Sequence, residues 1–190
     1  MTIIVIGNGP SVLEHELESV IDRFDEVVRI NHYIPNSHVG CKLTTFIVSD
    51  YKPKFYPEVL VKAHKIIIVG NTITPYNSNS NATILEMSCI NSHLKDMGFN
   101  KIYTIPWAST GIITLMNLLL ENKHDKIVIH GFDGLKCGER EHYFDNKLRK
   151  KNALEHSTTL EQRFIDYYVA QGRIITLHDY MKSSIESMSK

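Results

Sequence analysis

The chain has 190 residues, of which 43% are hydrophobic, and its 21 basic and 21 acidic residues leave a formal net charge of +0. That length suits a single domain, residues 1–190, with one sizeable core. Balanced charge excludes the broad positive field of a nucleic-acid binder, and no apolar run approaches the roughly 20 residues that a transmembrane segment needs.

The first residues, MTIIVIGNGP, are apolar, but the run is short and lacks a basic leader. It reads as a strand entering a turn rather than as a signal peptide. Taken in chain order, IIVIG (3–7) is a strand, 15–23 an amphipathic helix, and EVVRIN (26–31) and TTFIVS (44–49) two further strands. A short helix at 57–63 leads into the strand KIIIVG (65–70), and YNSNSN (76–81) is a polar loop. ATILEMSCINSHLKDMG (82–98) has helical spacing and stops at Gly98. The strand KIYTI (101–105), a helix at 110–122, the strand KIVIHGF (126–132), a helix at about 158–171 and the strand RIITL (173–177) complete the pattern. The strands are nearly continuous apolar runs, which implies burial on both faces. Strands alternating with helices predict an α/β fold, a mostly parallel sheet of about seven strands covered on both sides. In such sheets a ligand sits at the carboxyl ends of the strands.

Cys41, Cys89 and Cys137 are odd in number and widely spaced, which fits neither a metal pattern nor a disulfide framework. They read as reduced thiols of a cytosolic protein. Asn81-Ala82-Thr83 has the form of a glycosylation sequon, but without a secretory signal it reads as chance.

The strand ends carry the chemistry. GNGPS (7–11) follows the first strand, and a glycine turn there lets backbone approach a phosphate or ribose closely. It is not the dinucleotide fingerprint: Val12 stands where the third glycine belongs, and Asn31 and His32 stand where the second strand should offer an acid. Asn8 and Asn31 fall at strand ends, where each either holds a turn or meets a polar ligand. PWASTG (106–111) opens a helix that Ser109 or Thr110 caps, and the N–H groups of its first turn suit an anion. HGFDG (130–134) ends another strand.

Two histidines, His142 and His156, bracket a basic, amide-rich stretch that includes Lys147, Arg149, Lys150 and Lys151. Thr158 and Glu161 have capping-box spacing and start a helix just after His156. The positive end of that helix favours a neutral imidazole, the form a general base must have. His142 lies in HYFDN, beside Tyr143. His130 is a further candidate base.

Together these stretches resemble a known family. The segment from Val5 to Thr45 resembles the large sialylmotif of the sialyltransferases of glycosyltransferase family 29. Bacterial family 42 enzymes begin with a similar GNGPS-like turn. PWASTGIITLMNLLLENKHDKIVIHGFD (106–133) resembles the small sialylmotif, HYFD (142–145) motif III, and HSTTLE (156–161) the very small motif H-x-x-x-x-E. All four occur in the family's order. The resemblance implies a variant Rossmann-like α/β/α fold of the GT-A type, a CMP-sugar donor, a glycan or glycolipid acceptor, and no metal or other cofactor. The sequence has no D-x-D motif. By position, Gly7, Asn8, Gly9, Ser11 and Asn31 belong to the donor site, the two asparagines on the cytidine phosphate and ribose. Ser109, Thr110 and Gly111 line the same site, with Gly131 and Phe132 near the cytosine. His142 meets the leaving phosphate and His156 is the base.

The chain departs from the family in length and in lacking the cysteine pair that joins the large and small motifs. The missing cysteine pair and the missing anchor together imply a cytoplasmic protein of a bacterium or of a virus-infected cell. Three other readings remain: transfer of a different CMP-linked keto acid such as Kdo, a non-catalytic nucleotide- or glycan-binding module, and a dinucleotide oxidoreductase.

Overall fold

A computed structural model describes residues 1–32, 34–49, 63–70, 82–99, 107–133, 142–144 and 156–188. The expected helix at 57–63, the loop at 76–81, the strand at 101–105, Cys137 and the basic stretch with Lys147, Arg149, Lys150 and Lys151 lie outside the described residues, apart from Ala63.

Among the described residues seven parallel strands form one sheet: β1 (Ile3–Ile6), β2 (Glu26–Ile30), β3 (Thr45–Ser49), β4 (Lys65–Val69), β5 (Ala82–Ile84), β6 (Ile127–His130) and β7 (Ile174–Thr176). Their order is β5-β4-β3-β2-β1-β6-β7. Apart from single residues at their ends, β1, β2, β3, β4 and β6 are buried throughout. Continuous apolar sequence is what a strand covered on both faces requires.

Helices cover both faces. On one pack α2 (Met87–Asp96), α3 (Thr110–Glu121) and α4 (Thr158–Ala170), burying Ile90, Leu94, Ile112, Leu115, Met116 and Phe164 against Ile3, Val5 and Ile129. On the other, the 3-10 turn Pro10–Leu13, the short α1 (Glu18–Ile21) and α5 (Leu177–Met188) cover Ile4, Ile6 and Val128 through Val12, Ile21 and Leu177. The result is a three-layer α/β/α sandwich, as the strand and helix alternation predicts. Among the described residues no helix is long and apolar enough to cross a membrane.

Two expectations need correction. The stretch 82–98 is not one helix: Ala82–Ile84 is an edge strand, and the helix starts at Met87. Gly98 does end it, at φ 93°, with the Gly98 and Phe99 amides closing onto Lys95 and Leu94 carbonyls. The amphipathic stretch 15–23 yields only the one turn Glu18–Ile21. Helix α5 is an element the sequence reading left unassigned.

Arg29 stands within β2 and is fully buried. Its Nε donates to Lys42 O (3.0 Å) and its Nη2 to Val39 O (2.7 Å), so the buried cation is met by carbonyls and ties the 39–42 turn to the sheet.

Candidate active site

The strand order reverses between β1 and β6. From β1 the chain steps outward through β2, β3, β4 and β5, then returns to lay β6 and β7 on the other side. Such a switch point opens a crevice at the carboxyl ends of the two strands. Here it is bordered by Gly7-Asn8-Gly9 after β1 and Gly131-Phe132-Asp133 after β6. The two turns are locked together. Gly7 N donates to His130 O (2.8 Å) and Gly9 N to Gly131 O (2.9 Å). A Cβ at Gly7 would overlap Gly131 O, and Gly131 itself has φ 73° with Val12 Cγ1 in the place of a Cβ. These glycines are required by backbone-to-backbone approach.

Asn8 joins three elements. Its Nδ2 donates to Ile30 O at the end of β2 (3.0 Å), and its backbone carbonyl accepts from Tyr143 N (2.9 Å). Tyr143 is buried, and its phenol accepts from Ile34 N (2.7 Å) and donates to Ile34 O (3.3 Å). This clamp seats the 142–144 segment on the carboxyl ends of β1 and β2. His142 then stacks on Phe144 (centroids 5.0 Å, 23°), and His32 meets the same ring edge-on (4.2 Å, 77°). His142 therefore stacks on Phe144, not on Tyr143. Asn31 sits between β2 and His32 in left-handed backbone, φ 54°, which asparagine tolerates better than most residues. Its Oδ1 accepts from Ser49 N at 3.0 Å.

The N-terminus of α3 reaches the same edge. Ser109 is its N-cap, the hydroxyl accepting from Ile112 N (3.4 Å). Phe132 joins the two turns to this helix, for a Cβ at Gly111 would lie 3.0 Å from its ring and one at Gly7 3.2 Å from it. His156 precedes α4, and its Nδ1 lies 3.2 Å from Trp107 O. A carbonyl only accepts, so Nδ1 carries the hydrogen and Nε2 is the basic nitrogen. The Trp107 ring stands edge-on to the imidazole, 5.8 Å away at 90°.

The expected capping box is replaced by a different arrangement. Ser157, not Thr158, caps α4, accepting from Leu160 N (3.3 Å). Glu161 is 5% exposed, and its Oε1 accepts from Ser109 N at 2.9 Å. It joins α4 to the start of α3. His142 and His156 thus belong to two clusters, one built on Asn8, the other on Trp107 and α3.

Sequence reasoning missed Asp133. Its carboxylate accepts from Ser11 N (2.8 Å) and also from Ser11 Oγ, and a Cβ at Gly9 would fall within it. An acid two residues past the second turn's glycine was the available signal. Among the described residues, the one grouping of side chains close enough together to hold a metal ion is Glu18, Asp22 and Cys41. It lies before β2 and β3, at the opposite, amino edge of the sheet, where Asp22 also accepts from Cys41 N and Lys42 N.

Burial pushes the His130 imidazole down to about 4, against the opposing pull of the Asp133 carboxylate. So weak a base accepts a hydroxyl proton less readily than an ordinary imidazole does, which weighs against His130 as the catalytic base. It also sets a pH dependence. Between about 6.5 and 4 the unfolded chain binds a proton here that the folded chain refuses, so stability falls as pH drops through that window. At pH 4.5 the loss due to this group is about 2–3 kcal/mol. Urea unfolding of wild type and His130→Gln at pH 7.5 and 4.5 measures it: the variant loses less stability on acidification by that amount.

No family model matches the chain, and no curated protein does. Solved structures do. A crystal structure of a mammalian sialyltransferase superposes with TM-score 0.67 at 18% identity, over 93% of this chain and 68% of that one. Another, of a mammalian sialyltransferase in complex with Gal-β-1-3GalNAc-ortho-nitrophenol, gives TM-score 0.65 at 17% identity, with the same coverage. The fold is shared. At that identity the likeness speaks for the arrangement of strands and helices.

Proposed function

We propose that the chain is a metal-independent inverting glycosyltransferase that moves sialic acid, or a related keto-sugar acid, from a CMP-activated donor to a glycan hydroxyl. The observation that carries this reading is a histidine of fixed tautomer beside a capped helix N-terminus at the switch point. Trp107 O holds His156 with Nε2 as the basic nitrogen, and Phe132 ties the start of α3 to the β1 and β6 turns.

In the reaction, His156 Nε2 takes the proton of the acceptor hydroxyl as its oxygen attacks the anomeric carbon. The bond from that carbon to the phosphate oxygen breaks, and CMP leaves from the opposite face. The departing phosphate gains negative charge, which His142 and the first-turn amides of α3 stabilise. Asn8 has a second amide N–H beyond the one on Ile30 O, and Asn31 has its amide nitrogen, since its oxygen is held by Ser49 N. These donors meet the phosphate and ribose. Trp107 offers the acceptor an apolar face beside the base.

The solved complex holds a Gal-β-1-3GalNAc glycoside, so a galactoside is the first acceptor to try. The test is transfer from CMP-sialic acid, with CMP-Kdo in parallel, after dialysis and in excess EDTA. Transfer is expected to survive EDTA, and CMP at 100 times its Kd is expected to add about 2.7 kcal/mol of apparent stability, where UDP and NAD add little. Activity recovered only with manganese or magnesium would assign the leaving phosphate to a metal. A thermal shift with NAD and none with CMP would return the chain to the oxidoreductases.

A further inference from the structure

A glycine turn after the first strand, at a switch point, ordinarily gives its backbone amides to the pyrophosphate of a nucleotide, and its second glycine makes room for that group. In this chain those amides, apart from that of Asn8, are used internally. Gly7 N donates to His130 O (2.8 Å), Gly9 N to Gly131 O (2.9 Å) and Val12 N to Gly9 O (3.3 Å), while Pro10 has no N–H to give. Ser11 N donates to Asp133 Oδ2 at 2.8 Å, and the Ser11 hydroxyl donates to Asp133 Oδ1. The room over Gly9 is filled as well, because the Asp133 carboxyl group stands where a Cβ on Gly9 would be. An anion already sits in the turn, and it is the chain's own.

We propose that Asp133 is a specificity-determining residue: by occupying the seat over Gly9 and Ser11, it restricts the site to nucleotides bearing a single phosphate and rejects those bearing a diphosphate. A second phosphate entering over Gly9 meets filled space, like charge, and donors already engaged. One phosphate, held by Asn8 and the His142 cluster, stays clear of the seat. This rests on the cytidine-nucleotide reading for its natural ligand, but the seat itself is defined by Ser11, Gly9 and Asp133 alone.

Calorimetry with CMP, CDP and inorganic pyrophosphate tests it on wild type, Asp133→Ala, Asp133→Ser and Asp133→Asn, with thermal unfolding as the check of folding. Wild type is expected to bind CMP at least about tenfold more tightly than CDP, the effect of one charged hydrogen-bonded group. Asp133→Ala empties the seat and returns the Ser11 N–H and hydroxyl, so the CDP-to-CMP ratio of Kd values falls by about tenfold. Asp133→Ser gives the same direction in a milder change and serves if the alanine variant does not fold. Asp133→Asn keeps the volume and, with Nδ2 now donating to Ser11 Oγ, both contacts to Ser11, and removes only the like charge, so its ratio falls by no more than about threefold. A purely structural role would lower the unfolding temperature and leave the ratio unmoved, and that result overturns the proposal. If wild type binds neither cytidine nucleotide, the functional reading fails. Pyrophosphate then still decides the seat: binding gained in Asp133→Ala supports it, and equal behaviour of variant and wild type refutes it.

Discussion

Replacing His156 by alanine is expected to lower the transfer rate by about 10²–10⁴-fold, the range for loss of a general base, while CMP affinity stays nearly unchanged. The two readouts separate because acceptor deprotonation belongs to the transfer step alone. The imidazole is oriented through Trp107 O at 3.2 Å, which keeps Nε2 as the basic nitrogen. His142→Ala is expected to behave differently. That ring sits on Phe144 in the cluster seated on Asn8, so its loss weakens CMP binding as well as turnover. Initial rates and CMP affinity for both variants, across about pH 5–9, supply the comparison. Near-normal transfer by His156→Ala would make His156 structural and move the base to His142.

The largest stability effect is expected at the paired glycines. Gly7→Ala drives a methyl group into Gly131 O, which is backbone of the turn after β6, locked to the β1 turn, and has little room to move. Gly131→Ala meets Val12 Cγ1, lies 2.9 Å from Gly7 O, and forces alanine into φ 73°. Overpacking against backbone at Gly7, and overpacking with backbone strain at Gly131, cost about 3–5 kcal/mol in either variant. For a chain of this size that lowers the unfolding temperature by about 6–20 °C. Gly172→Ala is the control: it also has positive φ, at 69°, but nothing stands within 4 Å of its added Cβ. It should lose about 1 kcal/mol, the cost of the backbone conformation alone. Equal losses at Gly7 and Gly172 would mean that the contact between the two turns yields easily.

The sheet was legible because its inner strands are buried on both faces, which writes uninterrupted apolar runs such as IIVI and KIIIV into the sequence. The edge strand β5 was not. Its three residues are half-buried or exposed, too few to display a period of two, and the apolar spacing of α2 extends back over them. Helix α5 was passed over although Leu177, Tyr180 and Met181 recur at helical spacing and pack on the core. Ser183, Ser184 and Ser187, which follow, cut the stripe short. In the site, the strand-end turns, the cap of α3 and the position of His156 before a helix were all readable as local features. The role of Glu161 was not, because Ser157 and Thr158 are equally good caps. Its actual partner, Ser109 N, comes from a helix 52 residues away in the chain. Asp133 escaped for the same reason, since its contact with Ser11 spans 122 residues.

Those long separations bear on how the molecule assembles. β1 is the first of these strands to be made and an inner strand of the finished sheet, and its partner β6 faces it with Ile3 beside Ile127. The pairs β1–β2 and β2–β3 close short loops, whereas β1–β6 must close a loop of most of the chain, at a higher entropic cost. On a ribosome, the first five strands emerge while one side of β1 still has no neighbour. The crevice therefore comes into being only once β6 arrives, after the first five strands, and a chain that stalls before Ile127 presents the apolar edge of β1 to other chains. Expression yield should accordingly depend on how quickly the segment through β6 is delivered.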